Sequence, residues 1–283
     1  MKLLVTGAAG MLGRDVMLAA GNAGHDVIGY GRAELDVTDP AALARRLELA
    51  HPDVVVNCAA WTDVDGAETA EEAAFAINGK GAGNVAAAAN EIEARVLHVS
   101  TDYVFDGAKG APYVESDQPA PLSAYGRTKL AGEEAVAAAN KRHFIVRSAG
   151  LFGVGGRNFV ETMLQLAGDR SEVAVVRDQV GSPTYTWHLA YGIVRLIEGI
   201  EYGIHHMAAS GQCSWYEFAR EIFEQATVEC RVLSITSEEF GAAAPRPAFS
   251  ALTSQREHAI RLPSWQDGLA GYLAQRKAQE GTE

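Results

Sequence analysis

The feature that most constrains this chain is a glycine turn close to its start. Thr6-Gly7-Ala8-Ala9-Gly10-Met11-Leu12-Gly13 separates a short apolar run, Leu3 to Thr6, from an apolar-periodic segment, Met11 to Ala20. The first reads as a strand and the second as a helix. The G-x-x-G-x-x-G spacing removes side chains where the backbone must bend sharply and where it must approach an anion. The helix start behind it then offers free N–H groups and a partial positive charge to a pyrophosphate. Glycine spacing alone says little in a chain with 29 glycines. Its position at the first strand-to-helix turn makes it specific.

The following residues continue the same alternation. Asp26 to Tyr30 reads as a second strand, and Asp39 caps a helix with Pro40 at its first position, running to about Leu49. Asp53-Val54-Val55-Val56-Asn57 is a third strand, of the uninterrupted apolar kind expected in a sheet covered on both faces. One long helix is expected from about Glu68 to Asn90. A fourth strand follows over Arg95 to Ser100, then a helix starting near Ser123 and a further strand over His143 to Arg147. The pattern predicts an α/β fold with a doubly wound, Rossmann-like parallel sheet. After about Gly150 the alternation lapses. Two capping boxes, Ser214 with Glu217 and Thr236 with Glu239, start helices in what reads as a smaller C-terminal α/β substrate domain. The division expected is residues 1–150, joined by about 178–208, for the dinucleotide domain, and 151–177 with 209–283 for the smaller one. The tail after Ala274 is polar and reads as frayed.

Composition excludes several function classes. The net charge of −12 and the pI near 5.2 argue against nucleic acid as a partner, since phosphate-backbone binding needs a basic surface. No stretch is long enough to span a membrane, and Leu3-Leu4-Val5 is too short for a signal-peptide core. Three scattered cysteines, Cys58, Cys213 and Cys230, resemble neither a disulfide framework nor a zinc pair and read as reduced filler, which points to the cytoplasm. His205-His206 lacks the further ligands a metal would need, so no metal is expected.

The cofactor reading rests on the end of the second strand. A carboxylate there would hold a ribose 2′-hydroxyl, but the residues are Gly29-Tyr30-Gly31-Arg32. Arg32, helped by Arg14, suits a 2′-phosphate, which favours NADPH; stacking of Arg32 on the adenine with use of NADH as well stays open. Asp36-Val37 is placed to meet the adenine, with Asp36 as a turn residue the alternative.

Tyr125 and Lys129 lie four residues apart on the helix opened by Ser123, so both project from one face. An ammonium one turn away is expected to stabilise the phenolate, letting Tyr125 give a proton to a carbonyl oxygen as hydride reaches its carbon. Lys129 would also hold the nicotinamide ribose. The spacing recurs by chance, and Ser100-Thr101-Asp102 at the end of the fourth strand gives it weight. Ligands in open parallel sheets bind beyond the strand C-termini, where the Thr101 hydroxyl points.

Together these motifs resemble the extended short-chain dehydrogenase/reductases and, more narrowly, the dTDP-4-dehydrorhamnose reductases. The likeness extends through Asn57 to Asp65, Ser100 to Gly107, Tyr125 to Glu133, Asn158-Phe159-Val160, Asp178 to Thr184 and Arg246 to Leu252. It implies NAD(P)H-dependent reduction of dTDP-4-dehydro-6-deoxy-L-mannose to dTDP-L-rhamnose, a step in cell-surface polysaccharide synthesis. It also implies roles for residues. Gly7, Gly10, Met11, Leu12 and Gly13 would hold the pyrophosphate, Arg32, Asp36 and Val37 the adenosine end, and Ala59, Ala60, Trp61 and Thr62 the cofactor's middle. Thr101, Tyr125 and Lys129 would be catalytic; Thr101, Asp102 and Gly150 would face the sugar; Asn158 and Arg246 would meet the nucleotide diphosphate. That family commonly carries an aromatic where Gly150 stands, and Phe152 is the nearest replacement. Some members pair through a metal held by glutamates; Asp15 and His188 occupy those regions here, and a homodimer is left open.

Other aromatics, Trp215, Tyr216 and Phe218, read as packing. An epimerase or dehydratase of the same fold is the nearest alternative, but dehydratases of this kind carry an Asp-Glu pair where Asp102 is followed by Tyr103. A non-catalytic subunit would be expected to lose Tyr125 or Lys129, and this chain keeps both.

Overall fold

A computed structural model describes residues 1–280. Six strands form one sheet: β1 (Lys2–Thr6), β2 (Asp26–Tyr30), β3 (Val54–Asn57), β4 (Arg95–Thr101), β5 (His143–Ser148) and β6 (Gly203–His206). Their order is β6-β5-β4-β3-β1-β2, and every neighbouring pair is parallel. The chain moves outward from β1 to β2 and then crosses back to β3 on the other side of β1. This reversal leaves a crevice beyond the strand C-termini, between β1 and β3. Leu3, Leu4, Val5 and Val54 to Val56 are fully buried, as strands covered on both faces require.

Helices Met11–Asn22 and Thr186–Ile197 cover one face through Val16, Ala19, Leu189 and Ile193. Helices Pro40–Ala50, Ala82–Glu91 and Ala124–Ala139 cover the other through Leu43, Leu47, Val85 and Val136. The caps read from sequence are formed: Asp39 accepts from the Ala42 N–H at 2.9 Å and Ser123 from the Gly126 N–H at 3.1 Å.

The single helix expected from Glu68 to Asn90 is broken. Helices Val64–Thr69 and Glu71–Phe75 lead into a π turn, Ala76–Gly81, before Ala82–Glu91. The wider turn brings the buried Asn78 amide to the backbone of Trp61, accepting from its N–H at 2.8 Å and donating to its C=O at 3.1 Å. The same amide donates to Thr128 Oγ1 at 3.1 Å, which ties the segment after β3 to the helix carrying Tyr125.

Beyond β5, helices Phe159–Asp169, Trp215–Ala226 and Trp265–Glu280 enclose a second core of Phe152, Val160, Phe218, Ile222, Leu269 and Tyr272. A parallel ladder, Glu172–Val176 with Arg231–Ile235, lies beside them. Both capping boxes are present. The last helix does not fray after Ala274 but continues to Glu280, with Leu269, Tyr272 and Leu273 buried along it. The end of the tail, 281–283, lies outside the described residues. Among the described residues, no helix is long and apolar enough to cross a membrane.

Candidate active site

The glycine turn divides its work among three positions. Gly7 has φ +67°, and a Cβ there would sit 2.7 Å from Ala59 N and 2.8 Å from Cys58 C, so β1 and the segment after β3 can meet only at glycine. A Cβ on Gly13 would overlap the Gly7 carbonyl, which fixes how closely the helix packs on the turn. Gly10 is open: only the Gly7 carbonyl, 3.4 Å away, would meet its Cβ. It is also the N-cap of Met11–Asn22, whose first turn has neither a capping side chain nor an acidic residue. That positive, uncapped helix end fits a pyrophosphate.

A cleft of about 560 Å³ runs from this turn across the sheet edge. It is lined by Gly7, Gly10, Met11, Leu12, Gly13, Arg32, Asp36, Val37, Ala59, Ala60 and Thr62, and reaches Thr101, Tyr125 and Lys129. Sequence reasoning thus assembled most of one wall. Trp61 is the exception. Its ring packs beside Ala67, Ala74, Ala124 and Tyr125, and its indole N–H donates to the Asp63 carbonyl at 2.9 Å. Asp36 is the turn residue of the alternative reading as well: Oδ1 accepts from the Thr38 N–H and hydroxyl at 2.9 and 2.8 Å, which holds its carboxyl below the usual range. The second arginine on the cleft is not Arg14, which leans on the Gly155 carbonyl at 3.4 Å, but Arg157. Buried Ser148 also lines the cleft, and its hydroxyl is without a protein partner. An orphaned buried hydroxyl is costly unless a ligand satisfies it.

A second cleft, of about 370 Å³, meets the first at Thr62, Thr101, Tyr125, Gly150 and Leu151. Asp102, Tyr103, Phe159, Gln179, Trp215 and Ser250 complete much of its wall. At the junction the Tyr125 hydroxyl bonds to Thr101. Thr101 Oγ1 donates to Asp102 Oδ1 at 3.0 Å and accepts from the Tyr103 N–H at 3.1 Å. Asp102 is buried, and desolvation pushes its carboxyl up to about 6 against the hydrogen bonds from Ser250 and Thr101.

Lys129 does not act on Tyr125 in the expected way. Its Nζ turns to the Val99 carbonyl at 2.6 Å and to His98 Nε2 at 3.2 Å. Burial pushes the Tyr125 phenol up to about 12, with Asp102 adding to the rise and the Thr101 hydrogen bond opposing it. Tyr125 is therefore held protonated.

Gly150 has φ +53°, and a Cβ there would lie 3.4 Å from the edge of the Trp215 indole. Phe152 does not replace the missing aromatic, because it is wholly buried in the second core, stacked on Tyr185. Trp215, read as packing, supplies an aromatic wall from a distant helix start. Asn158 lines neither cleft: it caps Phe159–Asp169 and donates to the Gly153 and Gly156 carbonyls at 2.9 and 3.1 Å. Arg246 also lines neither cleft; it is paired with Asp65 at 2.8 Å, and the next residue, Pro247, lines the second cleft. Asp15 is buried and accepts from the Thr186 hydroxyl, while the His188 ring lies edge-on against Tyr185.

Residues 1–278 match the family described as RmlD substrate binding domain. The chain is 42% identical to the spore coat polysaccharide biosynthesis protein SpsK of Bacillus subtilis over 98% of each chain. It is also 42% identical to a dTDP-4-dehydrorhamnose reductase of Mycobacterium tuberculosis, over 96% of this chain and 92% of that one. A crystal structure of dTDP-4-dehydrorhamnose reductase from Bacillus anthracis, in complex with NADP, superposes with a TM-score of 0.94 at 38% identity, covering 97% and 99% of the two chains.

Proposed function

The chain belongs to the RmlD substrate binding domain family, and from that premise we propose that it reduces dTDP-4-dehydro-6-deoxy-L-mannose to dTDP-L-rhamnose with NADPH. The observation that carries this reading is the junction of the two clefts. Thr101 and Tyr125 stand there with neighbouring hydroxyls, one cleft leading to an uncapped helix start and the other to an aromatic-lined pocket.

The carbonyl oxygen is held between the hydroxyls of Thr101 and Tyr125. As hydride reaches the carbonyl carbon, the Tyr125 O–H bond breaks and its proton passes to that oxygen. Bound NADPH supplies the hydride. Gly10, Met11 and Leu12 hold the pyrophosphate, and Arg32, with Arg157 across the cleft, offers charge for a 2′-phosphate. Asp36 and Val37 border the adenine end, and the Ala59 to Thr62 backbone, clamped by Asn78, borders the middle. Trp215 faces the hexose across the space left by Gly150. Arg246 must leave Asp65 to reach a diphosphate. In this reading residues 1–150 with about 178–208 serve the cofactor, and 151–177 with 209–283 serve the nucleotide sugar. The helix Thr186–Ile197, packed on the sheet, and the separate second core support that division.

The test mixes purified protein, NADPH and the ketosugar generated in place by its epimerase. The expected result is one NADPH oxidised per dTDP-L-rhamnose formed. Product without net NADPH loss would instead mark an epimerase. Gly150 favours one further reading, a roomier sugar site, and faster turnover of another dTDP-4-keto-6-deoxyhexose would establish it.

A further inference from the structure

Four buried groups run in a line from the floor of the cofactor cleft to Lys129. The Ala59 N–H donates to Asn57 Oδ1 at 3.2 Å, and the Thr6 hydroxyl donates to the same oxygen at 2.7 Å. A backbone N–H can only donate, so it fixes the amide: the Asn57 oxygen faces Ala59 and the Asn57 NH₂ faces His98 Nδ1, 3.1 Å away. His98 Nδ1 must therefore accept. A neutral imidazole that accepts at Nδ1 carries its proton on Nε2, and His98 Nε2 lies 3.2 Å from Lys129 Nζ. Lys129 Nζ in turn donates to the Val99 carbonyl at 2.6 Å.

Every link then runs in one direction, ending on the Val99 carbonyl, and the acceptor of the His98 N–H is the lone pair of a lysine amine. An ammonium has no lone pair and would meet the His98 N–H head-on. We propose that His98, locked as its Nε2–H tautomer by Asn57, is a positioning residue that sets the protonation of Lys129, making the ammonium easier to deprotonate in the cofactor-free protein. The inference rests on Lys129 belonging to the active site of the proposed reductase.

The surroundings agree. His98 is fully buried, and that burial holds the ring well below the usual histidine range, so it is neutral. Burial brings Lys129 down to about 8, against an upward pull from Glu133 on its own helix. That carboxylate is already shared with Arg147 at 2.6 Å and the Ser100 hydroxyl at 2.6 Å. From the segment after β3, the Cys58 thiol is pushed up to about 12 by burial and stays uncharged. Tyr125, one turn earlier on the same helix, is held protonated. With one N–H spent on Val99 and the lone pair on His98, the amine keeps its second N–H for the cleft that Lys129 lines.

The experiment is side-chain ¹⁵N NMR on the intact protein. Long-range ¹H–¹⁵N correlations report the His98 tautomer, and the Nζ shifts of the six lysines report the Lys129 midpoint. The expected result is an Nε2–H tautomer from pH 6 to 9 and a Lys129 midpoint no higher than about 8. In His98→Phe, which cannot donate, that midpoint should rise by about one pH unit, staying below the ordinary lysine value of about 10.4 because the burial remains. An Nδ1–H tautomer or an imidazolium in the wild type overturns the proposal, as does an unmoved midpoint in folded His98→Phe. Should that variant not fold, the wild-type tautomer alone decides. Neither readout needs turnover. A protein with the Nε2–H tautomer and the low midpoint that reduces no sugar keeps this inference and rejects the reductase.

Discussion

Asp102 shows how burying a carboxyl in a cleft wall sets stability against ionisation. Its carboxyl rises from an ordinary value near 3.8 to about 6 because burial penalises the anion more than two hydroxyl hydrogen bonds favour it. The folded protein therefore binds more protons at this group than the unfolded chain does between about pH 4 and 6. The group's stabilisation is fully present below the unfolded value and is lost as pH rises through about 6. Asp102→Asn keeps the shape and carries no charge; its amide oxygen still accepts from one of the two hydroxyls, and the other hydroxyl turns to accept from the amide NH₂. At about 1.36 kcal/mol per pH unit, it should be more stable than the wild type by about 1–3 kcal/mol at pH 8. Urea titrations of the two proteins should converge towards pH 4, and a constant difference across the range would reject the assignment. Other residues of the site could not be found from their neighbours in sequence. Ser148 and Arg157 sit in segments with no motif of their own, and the capping box around Trp215 signals only a helix start; all three acquire a role only where those segments come back over the strand ends. His98 read as one more residue of a strand, since its partners Asn57 and Lys129 are 41 and 31 residues away.

Among the elements, the turn after β1 is where sequence said most, because bending, close approach and helix packing each exclude a Cβ for a separate reason. Those reasons can be told apart. Gly7→Ala places a Cβ within 2.8 Å of two backbone atoms at a positive φ and should cost about 2–4 kcal/mol of stability. Gly10→Ala meets only the Gly7 carbonyl at 3.4 Å and should cost less than about 1 kcal/mol, yet narrow the approach to the helix N–H groups. Denaturation and NADPH titration run side by side should show the first variant losing stability and the second losing affinity. Equal losses of both in the two variants would contradict the division of roles. The strands and caps were legible because β-branched runs and Asp39, Ser123, Ser214 and Thr236 act within a few residues. The π turn was not: helix periodicity runs through Ala76–Gly81, and only the distant demand of the Trp61 backbone explains why Asn78 is turned inward.

At the scale of the whole molecule, the sheet order makes the active site a meeting point. Reversal between β1 and β3 opens the cofactor cleft, β4 carries Thr101 to its end, and the helix after Ser123 crosses that end with Tyr125 and Lys129. The C-terminal segments then enclose the other side with Trp215 and Ser250. Buried polar groups concentrate at this seam: Glu133 bridges Ser100 and Arg147 beneath it, and Arg147 lies 5.1 Å over the Phe105 ring. These elements converge on one hydroxyl, that of Tyr125, the proposed proton donor. Tyr125→Phe removes that single oxygen and leaves the ring. Turnover of NADPH with the ketosugar and the affinity for NADPH should be measured together on this variant and the wild type. Turnover should fall by about 10²–10⁴-fold while NADPH affinity stays within about threefold. Wild-type turnover in Tyr125→Phe would contradict Tyr125 as the proton donor.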